Sequence, residues 1–149
     1  MALFRRTITS ALFLFILSSC SFAGIGYPKK LKGKRVVFET TIIENPKNRS
    51  DLHDIYIYEF HTEGSYKGML NGKPSEEGTY TYHFSPSSKD GELTLNYSVH
   101  GQPFSYTVVM KYTTPTSGGW LVRRSTDPKM KTQEKGTFTV VKRGEDVTG

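Results

Sequence analysis

The sequence predicts an all-β fold, a single small antiparallel up-and-down β-barrel of about eight strands that follows an N-terminal signal peptide. Its composition favours strands, since nine tyrosines and nine phenylalanines recur among threonines and serines, and such residues pack well on a pleated surface. Apolar and polar residues alternate in short segments from residue 31 onward, without a convincing helical stripe. A sheet that closes on itself buries the apolar face of such strands and leaves no edges.

Eight segments carry this alternation. The clearest is 79–84, where Tyr80, Tyr82 and Phe84 lie on one face and the polar residues between them lie on the other. Polar loops are predicted at 44–53 and 125–135, and Asn71-Gly72 predicts a tight two-residue hairpin turn. The predicted strands are 36–43, 55–60, 65–70, 79–84, 92–99, 104–112, 120–124 and 137–141.

A weak repeat of glycine, hydroxyl residue and aromatic residue accompanies the strands. It appears as Gly64-Ser65-Tyr66, Gly78-Thr79-Tyr80 and Gly136-Thr137-Phe138, with Gly91-Glu92-Leu93 as a looser copy. We expect each glycine at the start of a strand, where it permits a turn or a close backbone approach. The hydroxyl residue then faces outward and the aromatic residue inward, a rhythm that favours a meander over a Greek key.

The first twenty residues have the features of an export signal. Arg5 and Arg6 precede the apolar run 11–17, which is shorter than a membrane-spanning helix. Leu17-Ser18-Ser19-Cys20 then resembles the bacterial lipobox, and this resemblance implies diacylglycerol transfer to the Cys20 thiol, cleavage before Cys20 and acylation of the new amine. The alternative is an ordinary signal peptide, cleaved after Ser19 or at Ala23, with an incidental cysteine. Cys20 is the sole cysteine, so it has no intramolecular disulfide partner.

These features divide the chain of 149 residues into one domain and its targeting segments. We expect a lipoprotein signal peptide at 1–19, a lipidated tether at 20–30, the barrel at 31–143 and a tail at 144–149. Ser21, rather than an aspartate, follows the cysteine. By resemblance to lipoproteins of two-membrane bacteria, this places the protein in the cell envelope, on the outer membrane facing the periplasm if the host has two membranes.

The whole chain has a formal net charge of +6, and its densest basic cluster follows the predicted anchor. One interpretation is a solvated tether and strand start, which is the simpler one because a periplasmic leaflet need not be densely anionic. The other is a polybasic stretch attracted to anionic headgroups, worth up to about 1 kcal/mol per charge. The cluster comprises Lys29, Lys30, Lys32, Lys34 and Arg35.

Several strand motifs together resemble the small lipocalin-like (calycin-type) barrels of bacterial envelope proteins, over roughly residues 54–141. The resemblance implies an up-and-down barrel and the possibility of a small apolar ligand inside it. The sequence departs from true lipocalins at Gly33-Lys34-Arg35, which lacks the tryptophan of their first-strand motif. The motifs are Gly78-Thr79-Tyr80-Thr81-Tyr82, Leu93-Thr94-Leu95-Asn96-Tyr97, Tyr106-Thr107-Val108-Val109-Met110, Ser117-Gly118-Gly119-Trp120 and Gly136-Thr137-Phe138-Thr139.

The inward aromatic face has two interpretations. It is either a pocket for an apolar ligand, in which tyrosine hydroxyls orient the guest, or a packed core, which is the simpler reading for a small eight-stranded barrel. The possible ligand-lining residues are Tyr80, Tyr82, Phe84, Tyr97, Tyr106, Trp120 and Phe138.

No motif predicts catalysis, a metal or a cofactor. The four histidines, His53, His61, His83 and His100, lack the spacing of a local metal site. The stretch 50–54 brings Ser, Asp and His together, but adjacent loop residues rarely form a nucleophile–base pair, and its aspartates suit a turn.

We therefore expect a membrane-anchored envelope lipoprotein with a non-enzymatic barrel that acts as a binding or interaction module. A lipocalin-like carrier is the alternative, and an enzyme comes third. The predicted partners are the membrane, through acyl chains on Cys20, and a small apolar ligand or an envelope protein. Nucleic acid is not expected, because an exported lipoprotein has little access to it.

Overall fold

The computed structural model describes residues 26–45, 48–50, 53–127 and 133–144. The predicted signal peptide, Cys20 and the first part of the predicted tether lie outside the described residues. Within the described part of the chain, no helix has the length and apolarity that are needed to cross a bilayer.

Nine β-strands make up the described fold. They are β1 (Lys34–Asn45), β2 (Asn48–Ser50), β3 (Ile55–Phe60), β4 (Ser65–Leu70), β5 (Lys73–Ser85), β6 (Asp90–Val99), β7 (Gln102–Thr114), β8 (Ser117–Ser125) and β9 (Gln133–Lys142).

One sheet closes into a barrel. From β3 to β9 each strand pairs antiparallel with the next, and β1 pairs with both β3 and β9. The closing β1–β9 ladder runs from Lys34↔Lys142 to Glu44↔Gln133, with a bulge between Thr40 and Ile42. Strand β2 pairs only with the end of β1 and adds to the barrel at one side. The predicted all-β, eight-stranded, up-and-down barrel is confirmed.

All eight predicted strands are present. Six of them begin earlier than predicted, by two to six residues, and β5 and β9 differ most. Strand β5 starts at Lys73 instead of residue 79, and β9 starts at Gln133 instead of residue 137. The early part of β5 is polar and contains Pro74, yet it pairs with β4, with Glu76 opposite Gly68. Pairing with β4 makes this segment a strand, because hydrogen bonding within a sheet outweighs the weak strand propensity of its residues. The short β2 likewise lies in a predicted loop.

The repeat glycines take two different roles. Gly64 has a φ of 80° and occupies a turn before β4, as predicted. Gly78 and Gly136 instead lie within β5 and β9, so their expected position at a strand start is wrong. A Cβ atom at Gly78 would overlap the Asn96 carbonyl oxygen, and one at Gly136 would overlap that of Glu39. These glycines allow neighbouring backbones to approach closely as the sheet curves.

The predicted Asn71-Gly72 turn is confirmed. Both residues have left-handed φ values, of 51° and 77°, as a two-residue hairpin of this type requires. The Asn71 side chain accepts a hydrogen bond from the Ile55 amide and donates one to Asp54 at 2.9 Å. His100 and Gly101 repeat the left-handed pair, at 50° and 79°, between β6 and β7.

The barrel has two distinct ends. The lower end carries the turns 61–64 and 86–89 and the end of β9, and the upper end carries the turns 71–72 and 100–101. The chain from 26 to 33, here called the N-terminal segment, packs against the lower end.

Three contacts fix the N-terminal segment there. The Leu31 side chain is buried in the core. The Tyr27 ring stacks on Phe84, with 5.7 Å between centroids, and lies edge-on to Tyr112. The Gly33 amide donates to the Phe60 carbonyl at 2.9 Å. The N-terminal segment therefore closes the lower end of the barrel.

Candidate functional site

All seven predicted ligand-lining residues belong to the aromatic core or pack against it. Tyr106, Trp120 and Phe138 are buried members of the core, and the other four, Tyr80, Tyr82, Phe84 and Tyr97, are partly buried beside it. The structure thus places the predicted set on the inner face of the barrel.

These rings fill the interior by packing against each other. Phe60 lies 4.6 Å from Tyr80 between centroids, and Tyr112 lies 4.8 Å from Phe138, both in edge-on geometry. Such aromatic pairs contribute about 0.5–1.5 kcal/mol each beyond their burial.

A small cavity remains within the barrel. Its volume is about 20 Å³, which is room for about one water molecule, whereas small-molecule sites span roughly 300–1,000 Å³. Of the seven predicted residues, Tyr106 and Trp120 line it. The full lining is Phe38, Tyr56, Tyr58, Tyr106, Val108, Trp120, Val122 and Glu134.

A tyrosine network surrounds Glu76 above this cavity. The Tyr106 hydroxyl donates to Glu76 Oε1 at 2.7 Å and pairs with the Tyr58 hydroxyl at 2.5 Å. Burial raises the pKa of Glu76, and the hydroxyls of Tyr106, Tyr58 and Tyr66 oppose that rise. Burial, reinforced by nearby negative charge, also raises the pKa of Tyr58 and Tyr106 well above the usual tyrosine range. The phenols therefore stay protonated and act as donors.

A second glutamate borders the cavity. Glu134 projects inward from β9 and is only 7% exposed. Burial and, to a smaller extent, the charge of Asp54 raise the pKa of its carboxyl, a hydrogen bond from Tyr56 opposes them, and the resulting pKa is about 7. Near neutral pH, Glu134 therefore exchanges between a neutral and a charged form.

Two aspartates complete an acidic cluster at the upper end. Asp127 accepts a hydrogen bond from the Tyr97 hydroxyl at 2.8 Å, and its charge contributes to the raised pKa of Glu76. Asp54 fixes the Asn71 turn and acts on Glu134. We call Asp54, Glu76, Asp127 and Glu134, with the tyrosines that contact them, the upper carboxyl cluster.

The other sequence candidates are dispersed. His53, His83 and His100 are exposed, and the buried Nε2 atom of His61 has no hydrogen-bond partner. In the stretch 50–54, residues 51 and 52 lie outside the described part. The described residues contain no group of three or more His, Cys, Asp or Glu arranged to hold a metal ion.

The two glutamates, Glu76 and Glu134, are not among the predicted site residues, although the sequence carries a signal for them. Glu76-Glu77-Gly78-Thr79-Tyr80 and Glu134-Lys135-Gly136-Thr137-Phe138 extend the glycine repeat by a glutamate two residues before the glycine. Residues two apart share a face of a strand, so each glutamate points inward with the aromatic residue. Glu134 falls in the predicted loop 125–135, and Glu76 precedes the predicted strand 79–84, so neither residue is assigned to a strand face by the prediction.

Comparisons of the chain with protein-family models, curated proteins and solved structures gave no significant match. The geometry of the barrel therefore provides the basis for a functional proposal.

Proposed function

We propose that this protein is a membrane-anchored envelope lipoprotein whose barrel is a non-enzymatic interaction module that presents its upper end to a partner. One observation carries this proposal. The N-terminal segment closes the lower end, so the chain that leads to Cys20 leaves the barrel there. The upper carboxyl cluster then lies on the side away from the anchor.

Two features of the upper end support an interaction role. Ile55 and Val99, both at strand ends on this side, expose 42% and 36% of their surfaces. Asp54 and Asp127 of the upper carboxyl cluster are partly exposed at the same end and supply hydrogen-bonding groups. Apolar contact combined with oriented polar groups is the usual composition of a protein interface.

The carrier of a small apolar ligand remains the second candidate. The aromatic inner face favours this role. The cavity argues against it, because its volume is only about 20 Å³. A guest of ordinary size would have to displace packed rings such as Phe60 and Tyr80. We therefore favour an envelope protein as the partner, and native mass spectrometry after gentle purification tests for a retained ligand.

Lipidation of Cys20 tests the anchor. Radiolabelled palmitate should enter the wild-type protein and not Cys20→Ser, and the substitution should release the folded barrel from the membrane or block its processing. Buried acyl chains contribute about 0.8 kcal/mol per CH₂ group, so their loss removes the main membrane attachment. A wild-type protein that takes up no label and is found in the soluble fraction would exclude the anchor.

Photocrosslinking in the envelope tests the interaction role. A photoreactive residue at Lys73 or Arg124, both exposed at the upper end, should capture a reproducible partner. The same residue at Ser87, in the lower turn 86–89, serves as the control and should not capture it. The absence of a reproducible upper-end product, or equal capture from Ser87, would count against the proposal.

A further inference from the structure

Basic side chains from three separate parts of the chain meet at the lower end. The N-terminal segment contributes Lys29, Lys30 and Lys32, the turn 86–89 contributes Lys89, and the chain after β9 contributes Arg143. All five are exposed. Lys34 and Lys142, which face each other in the β1–β9 ladder, lie at the same rim.

The acidic groups described at this end are fewer. Glu63 lies in the turn 61–64, and Asp90 begins β6. Glu59 forms an ion pair with Arg35 at 2.5 Å, so its charge is neutralised locally. The opposite end carries the upper carboxyl cluster. The described surface of the lower end is therefore predominantly basic, whereas the carboxyl groups of the upper carboxyl cluster lie at the other end.

The basic groups are held on the barrel and do not merely trail from it. The amide of Lys34 donates to the Leu31 carbonyl at 2.8 Å, and Leu31 itself is buried in the core. Lys89 Nζ lies 5.7 Å from the centroid of the Tyr27 ring, a distance at which a cation is attracted by an aromatic face. These contacts join the N-terminal segment and the turn 86–89 into one surface, which we call the basic lower surface.

We propose that the basic lower surface docks on an anionic phospholipid bilayer and so orients the barrel with its upper end away from the membrane. This inference rests on the proposed function, because the anchor at Cys20 brings the bilayer to this end. Cys20 precedes Gly26 by six residues, a length that spans at most about 20 Å. The basic groups can therefore come within the screening distance of about 8–10 Å, where headgroup charge attracts lysine and arginine.

The direction of the tether favours a membrane over a soluble polyanion. The chain leads toward Cys20 from the same end that carries the basic groups, so an anchored protein turns this end to the bilayer. An acidic polysaccharide has no such geometric relation to the anchor. An anionic bilayer therefore agrees both with the positive charge of the basic lower surface and with the direction of the chain toward Cys20.

Vesicle binding without the lipid anchor isolates the contribution of this surface. A chain that begins at Ser21 retains every described core residue, from Leu31 to Val140, and lacks the apolar signal peptide. It should bind vesicles of phosphatidylcholine with phosphatidylglycerol at least about tenfold more tightly than vesicles of phosphatidylcholine alone. High salt should remove the difference, because salt screens the attraction.

Three paired substitutions with equal changes in net charge locate the binding surface. Lys29→Glu with Lys30→Glu, and Lys89→Glu with Arg143→Glu, should each weaken binding to the anionic vesicles by about tenfold or more. Lys73→Glu with Arg124→Glu, at the upper end, is the matched control and should leave binding within about twofold. Thermal unfolding of each variant shows that the barrel is intact.

Several results would overturn the proposal. An equal loss in the upper-end control would mean that net charge alone is responsible, and a loss confined to Lys29 and Lys30 would indicate a basic tether without a docking surface. Equal binding to neutral vesicles, or binding to a soluble acidic polysaccharide without binding to the vesicles, would exclude the bilayer as the partner. Palmitate labelling at Cys20 is measured separately, so failure of the anchor and failure of the docking surface are distinguishable.

Discussion

Glu76 and Glu134 carry carboxyl groups into an interior that is otherwise aromatic and aliphatic. A carboxylate that leaves water loses solvation energy, so it must gain hydrogen bonds or take up a proton. Glu76 gains a hydrogen bond from Tyr106, and the pKa of Glu134 is raised to about 7 by burial. The stability of the barrel should therefore depend on pH in the range between mild acid and neutrality.

Glu134→Gln should stabilise the barrel at alkaline pH. The folded pKa of about 7 lies above the ordinary value of 4.5, so the folded state binds the proton more tightly than the unfolded state. The free energy of unfolding of the wild type therefore falls as the pH rises from 4.5 through about 7, by about 3 kcal/mol from this group. Glutamine stays neutral and can still accept the Tyr56 hydrogen bond. Urea unfolding should show a gain of up to about 3 kcal/mol at pH 8 that shrinks toward pH 5.

An exposed glutamate provides the control for this experiment. Glu77 is adjacent to Glu76 in sequence but lies on the outer face, so Glu77→Gln should leave the pH dependence of unfolding as it is in the wild type. A Glu134→Gln variant with the pH dependence of the wild type would show that the buried carboxyl does not control stability.

Tyr106→Phe should destabilise the barrel more at pH 8 than at pH 5. The substitution removes the hydroxyl that contacts both Tyr58 and Glu76, which costs about 1–3 kcal/mol for the groups left unpaired. Since this hydrogen bond lowers the pKa of Glu76, its loss is felt most when the carboxyl is charged. Denaturant unfolding at both pH values measures the difference.

Tyr112→Phe is the matched control for the loss of a tyrosine hydroxyl. Its hydroxyl pairs with that of Tyr82 at 2.9 Å and not with a carboxylate. The cost of Tyr112→Phe should therefore be the same at pH 5 and pH 8. An equal cost at both pH values for Tyr106→Phe as well would contradict the proposed coupling to Glu76.

Strands β5 and β9 are the elements that build the acidic interior, and they do so in the same way. Each places a glutamate, a glycine and an aromatic residue in succession on its inner face, as in Glu76, Gly78 and Tyr80. The glycine lets the adjacent backbone come close, and the aromatic residue fills the barrel beyond it.

Gly78→Ala and Gly136→Ala should each destabilise the barrel by about 2–3 kcal/mol or more, because the new Cβ atom would overlap a carbonyl oxygen of the neighbouring strand. Gly119→Ala, also in a strand, is the control. A Cβ atom there meets only the Gly136 carbonyl oxygen at 3.7 Å, so its effect should stay within about 1 kcal/mol. Thermal or urea unfolding of the three variants decides the matter, and equal stabilities would refute the close-approach role.

At the scale of the whole molecule, closure of the sheet brings together the residues that form each end of the barrel. The β1–β9 ladder joins the first and last long strands, so the basic lower surface and the upper carboxyl cluster are each assembled from strands far apart in sequence. Without this ladder, β1 and β9 would become open edges, which are prone to pair with other chains.

A chain that ends at residue 132 and lacks β9 should not form a stable monomeric barrel. It loses Phe138 and Val140 from the core and exposes two strand edges. A circular permutant that joins Gly144 to Gly26 through a flexible linker, with new ends in the turn 86–89, is the control. It keeps every ladder and should remain folded and monomeric. Amide dispersion in NMR spectra and size-exclusion chromatography measure the outcome, and a folded monomer without β9 would contradict the role of closure.

The sequence predicted much of the fold because its signals are local. Alternation in segments such as 79–84 and 104–112 depends on the two-residue period of a strand, and Asn71-Gly72 specifies its turn by backbone conformation. The candidate site was predicted in part, since the aromatic residues were placed correctly on the inner face. The prediction did not extend to Glu76 and Glu134, because both lie outside the predicted strands, and the inward position that the extended glycine repeat indicates applies only within a strand.

By itself the sequence determined that this chain folds as an antiparallel barrel, because period-two alternation and turn residues act within a few positions of the backbone. The tertiary structure alone decided that Glu76 and Glu134 share the upper interior, since they come from β5 and β9 and meet only when the sheet closes. It also decided that Lys89 and Arg143 join Lys29 and Lys30 at the lower end. Packing and charge across distant strands depend on register and closure, which are properties of the folded molecule.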